Sequence, residues 1–514
     1  MRTLRLSLGF ALSCLASLGC QDDGSLAEFH VSVAPVPLEG SLLYAHRVDG
    51  AGDALIVDVS GAKPRIASHR LPAGDLKSYP RPGSAGHEVV VLTGGLASDP
   101  AAGQRESIGS AVLVFDRHGE RFRKTLDGRF SDLTLSPDGR VALAHGHGAG
   151  AGVDVGNTVA IVDLSDPSLD VRTVALSDST GRPAQSFAFP DPADGSRRLL
   201  VARGVDNLTI LELDYLDRKP KEVPLKLPSD GRALQAGKLI FRADEIFVQI
   251  EGSSDVLLLQ LVPLDAAGPE AFKLVPLYLA TSANVQDIEL VREGGPDRRL
   301  VALGQGKVSV VDPVTGDATT SNTDASYDDL IRFVGRSPVD DELRERGLLV
   351  PHQGSRIAFV DFANGTAWSD EQVETLDLPD QLQSVIPLND HRLVVLLYSS
   401  GGLGLVDLDA RKVTPISTGS TVQSMLIDES PQEANLWLSL TNEHVARVNL
   451  LGLDAREIAL AAQADQLLLI EGSPRKIAAV HDSDAGFVTL LDPAEPSRAT
   501  ARELVSFFYT DILD

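Results

Sequence analysis

The feature that most constrains this chain is a short run of aliphatic and β-branched residues that closes on Asp and returns about ten times. It reads Ala54-Leu-Ile-Val-Asp58, Val112-Leu-Val-Phe-Asp116, Val159-Ala-Ile-Val-Asp163 and Ile210-Leu-Glu-Leu-Asp214. It continues as Val308-Ser-Val-Val-Asp312, Ile357-Ala-Phe-Val-Asp361, Leu403-Gly-Leu-Val-Asp407 and Val488-Thr-Leu-Leu-Asp492. Leu257-Leu-Leu-Gln-Leu261 and Val445-Ala-Arg-Val-Asn449 are weaker copies in the gaps. Successive ends are roughly 42 to 58 residues apart. A period of that size is the length of a four-stranded unit, and an array of such units points to a β-propeller.

Two stretches display the unit in full. In the third, strands are expected at 132–136, 140–144, 158–163 and 171–176, with the turn Ser136-Pro-Asp-Gly139 after the first. Pro presets φ there and Gly accepts a positive φ. Near the C-terminus, 383–388, 392–397, 402–407 and 412–416 repeat the same grammar. The Asp always follows the third strand. A carboxylate in that position can accept backbone N–H groups of the next turn, so the row of acids reads as turn chemistry and not as a catalytic series.

Ser136-Pro-Asp-Gly139 and Asn157-Thr-Val-Ala-Ile-Val-Asp163 resemble the YVTN-type bacterial repeat propellers, relatives of WD-repeat and lactonase-like propellers. Ile416-Ser-Thr-Gly419 followed by Val422 echoes the joint between their blades. The resemblance is strongest in one unit, and the rhythm runs from about residue 28 to 510. The fold expected is all-β: a single β-propeller of eight to ten four-stranded units, about 48 residues each, occupying 28–514. Ten units in one ring or in two are both open, and no linker-like stretch favours two. Phe29-His-Val-Ser-Val33 and Glu503-Leu-Val-Ser-Phe-Phe-Tyr509 are candidate strands for pairing the first unit with the last, which protects the free edges.

Ahead of the repeats, Met1-Arg-Thr-Leu-Arg5 is a basic start and 6–18 is mostly apolar. The run is too short for a membrane-spanning helix and reads as a secretory signal over 1–19. Ala16-Ser-Leu-Gly19 before Cys20 resembles a bacterial lipoprotein signal, with Ser17 standing where Leu is usual. That resemblance implies acylation at Cys20, a short tether over 20–27, and a propeller held to the membrane in the cell envelope, facing periplasm or exterior. Ordinary secretion and an uncleaved anchor are the alternatives. The only cysteines are Cys14 and Cys20, so the propeller has no internal disulfide.

The formal charge of −26, with Arg2 and Arg5 as the only charges in the leader, sets a strongly negative field. Such a field repels phosphate backbones and excludes nucleic acid as a partner. No zinc-protease, serine-hydrolase or paired-cysteine motif is present. The Gly-rich stretch around His145, His147 and Asp154 has no dinucleotide fingerprint. Its two His could share a strand face and hold a metal, but a loop joining strands two and three is the simpler reading. In propellers of this family such loops lie on the ligand face. That makes His145, His147, Asp154 and Asn157, with the long loop 98–110, the candidate ligand-face residues. No cofactor is expected. Trp437, in Ala434-Asn-Leu-Trp-Leu-Ser-Leu440, reads as core, and Trp368 as a loop residue. The charged run from Ser337 to Arg346 reads as a solvated insertion, a short rim helix, or a docking site.

The function these signals fit is a binding or scaffold module for a protein or cell-envelope ligand. The alternative is a lactonase-like or other hydrolase with a site in the channel. Acids or His converging on the innermost strands would favour the enzyme, and a channel lined by small and aliphatic residues the binder.

Overall fold

The computed structural model describes residues 34–504, apart from 96–108, 147–156, 177–183, 192–197, 265–271, 292–297, 337–342 and 362–372 and shorter breaks of one to four residues. The described residues hold forty strands, numbered β1 to β40 in chain order. They form ten separate four-stranded antiparallel sheets, each made of four consecutive strands. We number these blades 1 to 10. The expected strands of the third unit appear as β9 (Asp132–Leu135), β10 (Val141–His145), β11 (Thr158–Asp163) and β12 (Arg172–Ala175). No helix among the described residues is long and apolar enough to cross a membrane.

Burial explains why the sequence alternates so poorly within a strand. The middle strands are covered on both faces: β6 (Val89–Thr93) is buried at every position, and so is β10. Both faces are covered because each blade packs between two others. In β2 (Ser41–Val48), Leu43 and Ala45 pack towards blade 2, while Leu42 and Tyr44 pack towards blade 10. Two-sided burial needs continuous apolar runs, and these are the runs that make the repeat visible. The fourth strand of each blade lies outermost and is more exposed, polar in β12 and β36 (Ala455–Ala459) but largely apolar in β20 (Phe272–Ala280).

Ten apolar clusters fill the ring, one at each contact between neighbouring blades. The tenth joins the ends of the chain: Leu42, Tyr44, Leu55 and Val57 of blade 1 meet Ile470, Ala478, Val480 and Leu490 of blade 10. The ring is therefore one, at the upper limit of the expected blade count. The Gly40 amide donates to the Glu471 carbonyl (2.5 Å), and Arg502 donates to the Gly61 carbonyl (2.7 Å) across the same seam. Glu503 belongs to β40 (Arg502–Leu504), which pairs with β39 (Phe487–Leu491) of its own blade. Of the stretch expected to pair the first unit with the last, Glu503 and Leu504 pair within their own blade and Leu504 joins the apolar seam, while 505–509 lie outside the described residues. Phe29-His-Val-Ser-Val33 lies outside the described residues.

In six blades the Asp after the third strand does what a turn carboxylate should. Asp58 accepts the Ser60 amide at 2.9 Å, Asp163 those of Ser165 and Asp166 at 2.8 and 3.1 Å, and Asp312 those of Val314 and Thr315 at 2.8 and 3.3 Å. Asn449, the weak copy, accepts the Gly452 amide in the same way at 2.9 Å.

The charged run in the seventh unit departs from expectation. Residues 337–342 lie outside the described part, but Leu343 to Arg346 open β26 (Leu343–Val350), paired with β25 (Asp329–Arg336). Arg346 is 1% exposed, its guanidinium 5.3 Å from the centre of the Phe333 ring. The end of the run is a buried strand, because a guanidinium plane can be covered by an aromatic face.

Candidate functional site at the channel mouth

Antiparallel order fixes what each end of the ring carries. Strand one begins where strand two ends and strand three begins, so the loops joining strands two and three share a face with the starts of the innermost strands. The Asp turns lie on the opposite face.

The innermost strands of several blades start irregularly. The pairing slips by one residue between Val285 and Asp287 in β21 (Val285–Val291), and between Leu382 and Ser384 in β29 (Leu382–Pro387). It slips again between Val422 and Ser424 in β33 (Val422–Glu429), and between Ala236 and Leu239 in β17 (Ala236–Arg242). Three of the slips leave a glutamine as the extra residue: Gln286, Gln383 and Gln423. A bulge re-aims its side chain, and all three glutamines are exposed at the channel mouth. The signal was present as a recurring aliphatic-Gln-Ser/Asp triplet, Val285-Gln-Asp287, Leu382-Gln-Ser384 and Val422-Gln-Ser424. It is far shorter than the repeat that ends in Asp and does not stand out beside it.

Gln249, at the end of β18 (Glu245–Ile250) and 8% exposed, ties two of these starts together. Its side-chain oxygen accepts the Lys238 amide at 2.9 Å, and its NH2 donates to the carbonyls of Val285 and Gln286 at 3.1 and 2.6 Å. Gly237 is small for this reason: a Cβ there would lie 2.6 Å from the Gln249 oxygen.

Beside this clamp is a charge network on the innermost strands of blades 5, 6 and 7. The Lys238 ammonium lies 2.9 Å from Asp287 and 3.1 Å from Glu289. Arg332 reaches Glu289 at 3.3 Å, Glu345 at 3.4 Å and the Leu290 carbonyl at 2.7 Å. Asp287 accepts the Leu330 amide at 3.3 Å, and Asp329 accepts the same amide at 2.8 Å, so the two carboxyls share one donor. Burial pushes the Asp287 carboxyl up to about 6; Lys238 works against that rise and Asp329 adds to it. For Lys238, burial disfavours the charge, but Glu289 and Asp287 outweigh it and hold the ammonium above the usual lysine range.

A cavity of about 600 Å³ opens over this network, between blades 5 and 8. Glu251, Gln286, Asp328, Asp329 and Gln383 supply its polar wall, and Val350, Pro351, Leu382 and Val385 its apolar wall. Four blades contribute, each through a strand end at the channel mouth. Among the described residues, no three His, Cys, Asp or Glu side chains gather as a metal-binding set.

The residues singled out from the sequence are placed as follows. His145 ends β10 on the same face of the ring, but its ring is turned inward and buried. Its Nε2 lies 2.9 Å from the Thr134 hydroxyl, and its ring centre 4.4 Å from that of Phe187. Asn157 precedes β11 and accepts the Leu176 amide through its carbonyl at 2.8 Å. His147 and Asp154 lie outside the described residues, as do Trp368 and most of the 98–110 loop. Trp437 is fully buried between blades 9 and 10, as expected.

No family model and no curated protein matches this chain. Solved structures do. One is dihydro-heme d1 dehydrogenase NirN in complex with DHE, at 13% identity and TM-score 0.44, covering 68% of this chain and 70% of that one. Another is Sqt1 of Saccharomyces cerevisiae, at 12% identity and TM-score 0.39, covering 72% and 95%. A third is apo AztD from Citrobacter koseri, at 12% identity and TM-score 0.36, covering 69% and 92%. Likenesses this distant carry nothing about ligand or chemistry.

Proposed function

We propose that this chain is an extracytoplasmic lipoprotein, tethered through Cys20, whose propeller binds a protein or cell-envelope ligand at the channel mouth. The observation that carries the binding role is the 600 Å³ cavity built from strand ends of four blades. Cavities of that size, with a few placed polar groups against an apolar wall, suit recognition. The cell-envelope setting is supported by the leader, Gly19 and Cys20, and by the negative charge. Because β1 (Val36–Leu38) is an innermost strand, its start lies on the cavity's face, and a tether from Cys20 joins the ring on that side.

The test is chemical cross-linking in native cells, read by mass spectrometry, for the natural chain, Cys20→Ala and Ser384→Tyr. Ser384 lines the cavity and is exposed, so the larger ring fills space without entering the core. Cys20→Ala is expected to move the protein into soluble fractions, and Ser384→Tyr to remove the principal cross-linked species while the protein stays membrane-bound. Membrane retention of Cys20→Ala overturns the anchor; unchanged cross-links in Ser384→Tyr overturn the site.

One observation favours a second reading. Asp287 and Asp329 form a carboxyl pair on innermost strands, both accepting the Leu330 amide, the convergence expected of a hydrolase in the channel. In that reading Asp329, which lines the cavity, works on the substrate, and Asp287 sets its proton. Turnover of an ester or lactone panel that is lost in Asp329→Asn supports it, and the absence of any turnover removes it.

A further inference from the structure

We infer that the channel-mouth cavity takes a small organic cation, a molecule carrying at least one primary amine on an aliphatic frame. This rests on the binding site proposed above and specifies its ligand. The lining decides the class by what it offers. Among the described residues that line it, Glu251, Asp328 and Asp329 carry charge, and none is Lys, Arg or His. The nearest ammonium, Lys238, is already held between Asp287 and Glu289. A phosphate or carboxylate ligand would meet like charge with no cation in the described lining to offset it. No aromatic side chain is among the described lining residues, and these offer no platform on which a sugar or a flat ring could stack. Its acids are spread along the wall and do not gather into a metal set, which suits a chain of atoms better than a point ion.

What remains fits an amine. Asp329 is exposed and lines the cavity, while its carboxyl shares the Leu330 amide with that of the buried Asp287. An incoming ammonium supplies positive charge beside that pair, where two acids are pressed together. The bulged Gln286 and Gln383 present amide oxygens that accept the remaining N–H groups. Val350, Pro351, Leu382 and Val385 supply the apolar surface that covers methylenes. The charge of −26 on the whole chain draws cations to the mouth.

The test is calorimetric titration of the full chain at neutral pH with 1,5-diaminopentane, with 1,5-pentanediol as the neutral analogue and calcium chloride as the inorganic cation. Saturable one-to-one binding of the diamine is expected, with none for the diol. Affinity should fall at least tenfold in Asp329→Asn and in Glu251→Gln, and vanish in Ser384→Tyr. Glu251 is exposed, so its variant is a check that does not depend on the buried network. Equal binding of the diol, calcium binding in place of the diamine, diamine binding that survives Ser384→Tyr, or no saturable heat overturns the inference. If the diamine fails while Ser384→Tyr still strips the cellular cross-links, the site stands and the ligand class falls. If Ser384→Tyr affects neither, both fall.

Discussion

A carboxylate is stabilised where backbone amides meet it near solvent and opposed where it is buried beside another acid, and this chain contains both cases. Asp312 accepts two amides in its turn, chiefly that of Val314, and its carboxyl is held below the usual range. Asp287 is buried beside a second acid and titrates near 6. The two shifts act in different windows. A depressed carboxyl contributes stability above its unfolded value near 3.8 and loses it as pH falls through the folded one. A raised carboxyl favours the folded state most below 3.8, and that contribution is lost as pH rises through about 6. Denaturant unfolding is therefore expected to show a component that weakens between pH 4 and 6, at most about 3 kcal/mol, and that disappears in Asp287→Asn. Identical slopes in the two proteins would rule this out. The turn acids were legible in the sequence because their partners are two or three residues away. Asp287 was not, because Lys238 and Asp329, which set its chemistry, come from the two adjacent blades.

Among elements, the blade was legible and its departures were not. Strands two and three read plainly because burial on both faces writes long apolar runs. Ser136-Pro-Asp-Gly139 read as a turn, and it forms with Gly139 at φ 65° and its amide donating to the Ser136 carbonyl at 2.8 Å. Less visible was that Gly139 also touches blade 2: a Cβ there would run into the Pro82 carbonyl, and Arg81 donates to the Gly139 carbonyl at 2.7 Å. Gly139→Ala is thus expected to cost about 2 kcal/mol or more. Gly316→Ala, at φ 79° with open space around it, should cost only the left-handed strain of about 1 kcal/mol. Urea melts of both variants test the difference, and equal losses would mean the blade contact contributes nothing. The bulges escaped notice because one inserted residue leaves composition unchanged. The run ending at Arg346 misled because charge suggested solvent, whereas Phe333 covers it from the paired strand.

On the scale of the whole molecule, the ring closes with the same kind of contact that joins every other pair of blades. Leu42 at the seam and Leu143 between blades 3 and 4 are both fully buried in clusters of this kind. Each Leu→Ala change is expected to cost about 2–5 kcal/mol, and the two should agree within about 1 kcal/mol in one cooperative transition. A separate early transition in Leu42→Ala alone would mark the seam as a weak point and contradict this. The repeat announced about ten units without saying whether they made one circle or two, since the period is local and closure is not. Closure also has a topological consequence. Every blade is built from four consecutive strands and none borrows a strand, so the step from β40 back to β1 has the same form as each of the other nine steps between blades. The circle has no privileged origin: a permuted chain that joins the seam and is cut instead between any two blades would describe the same object.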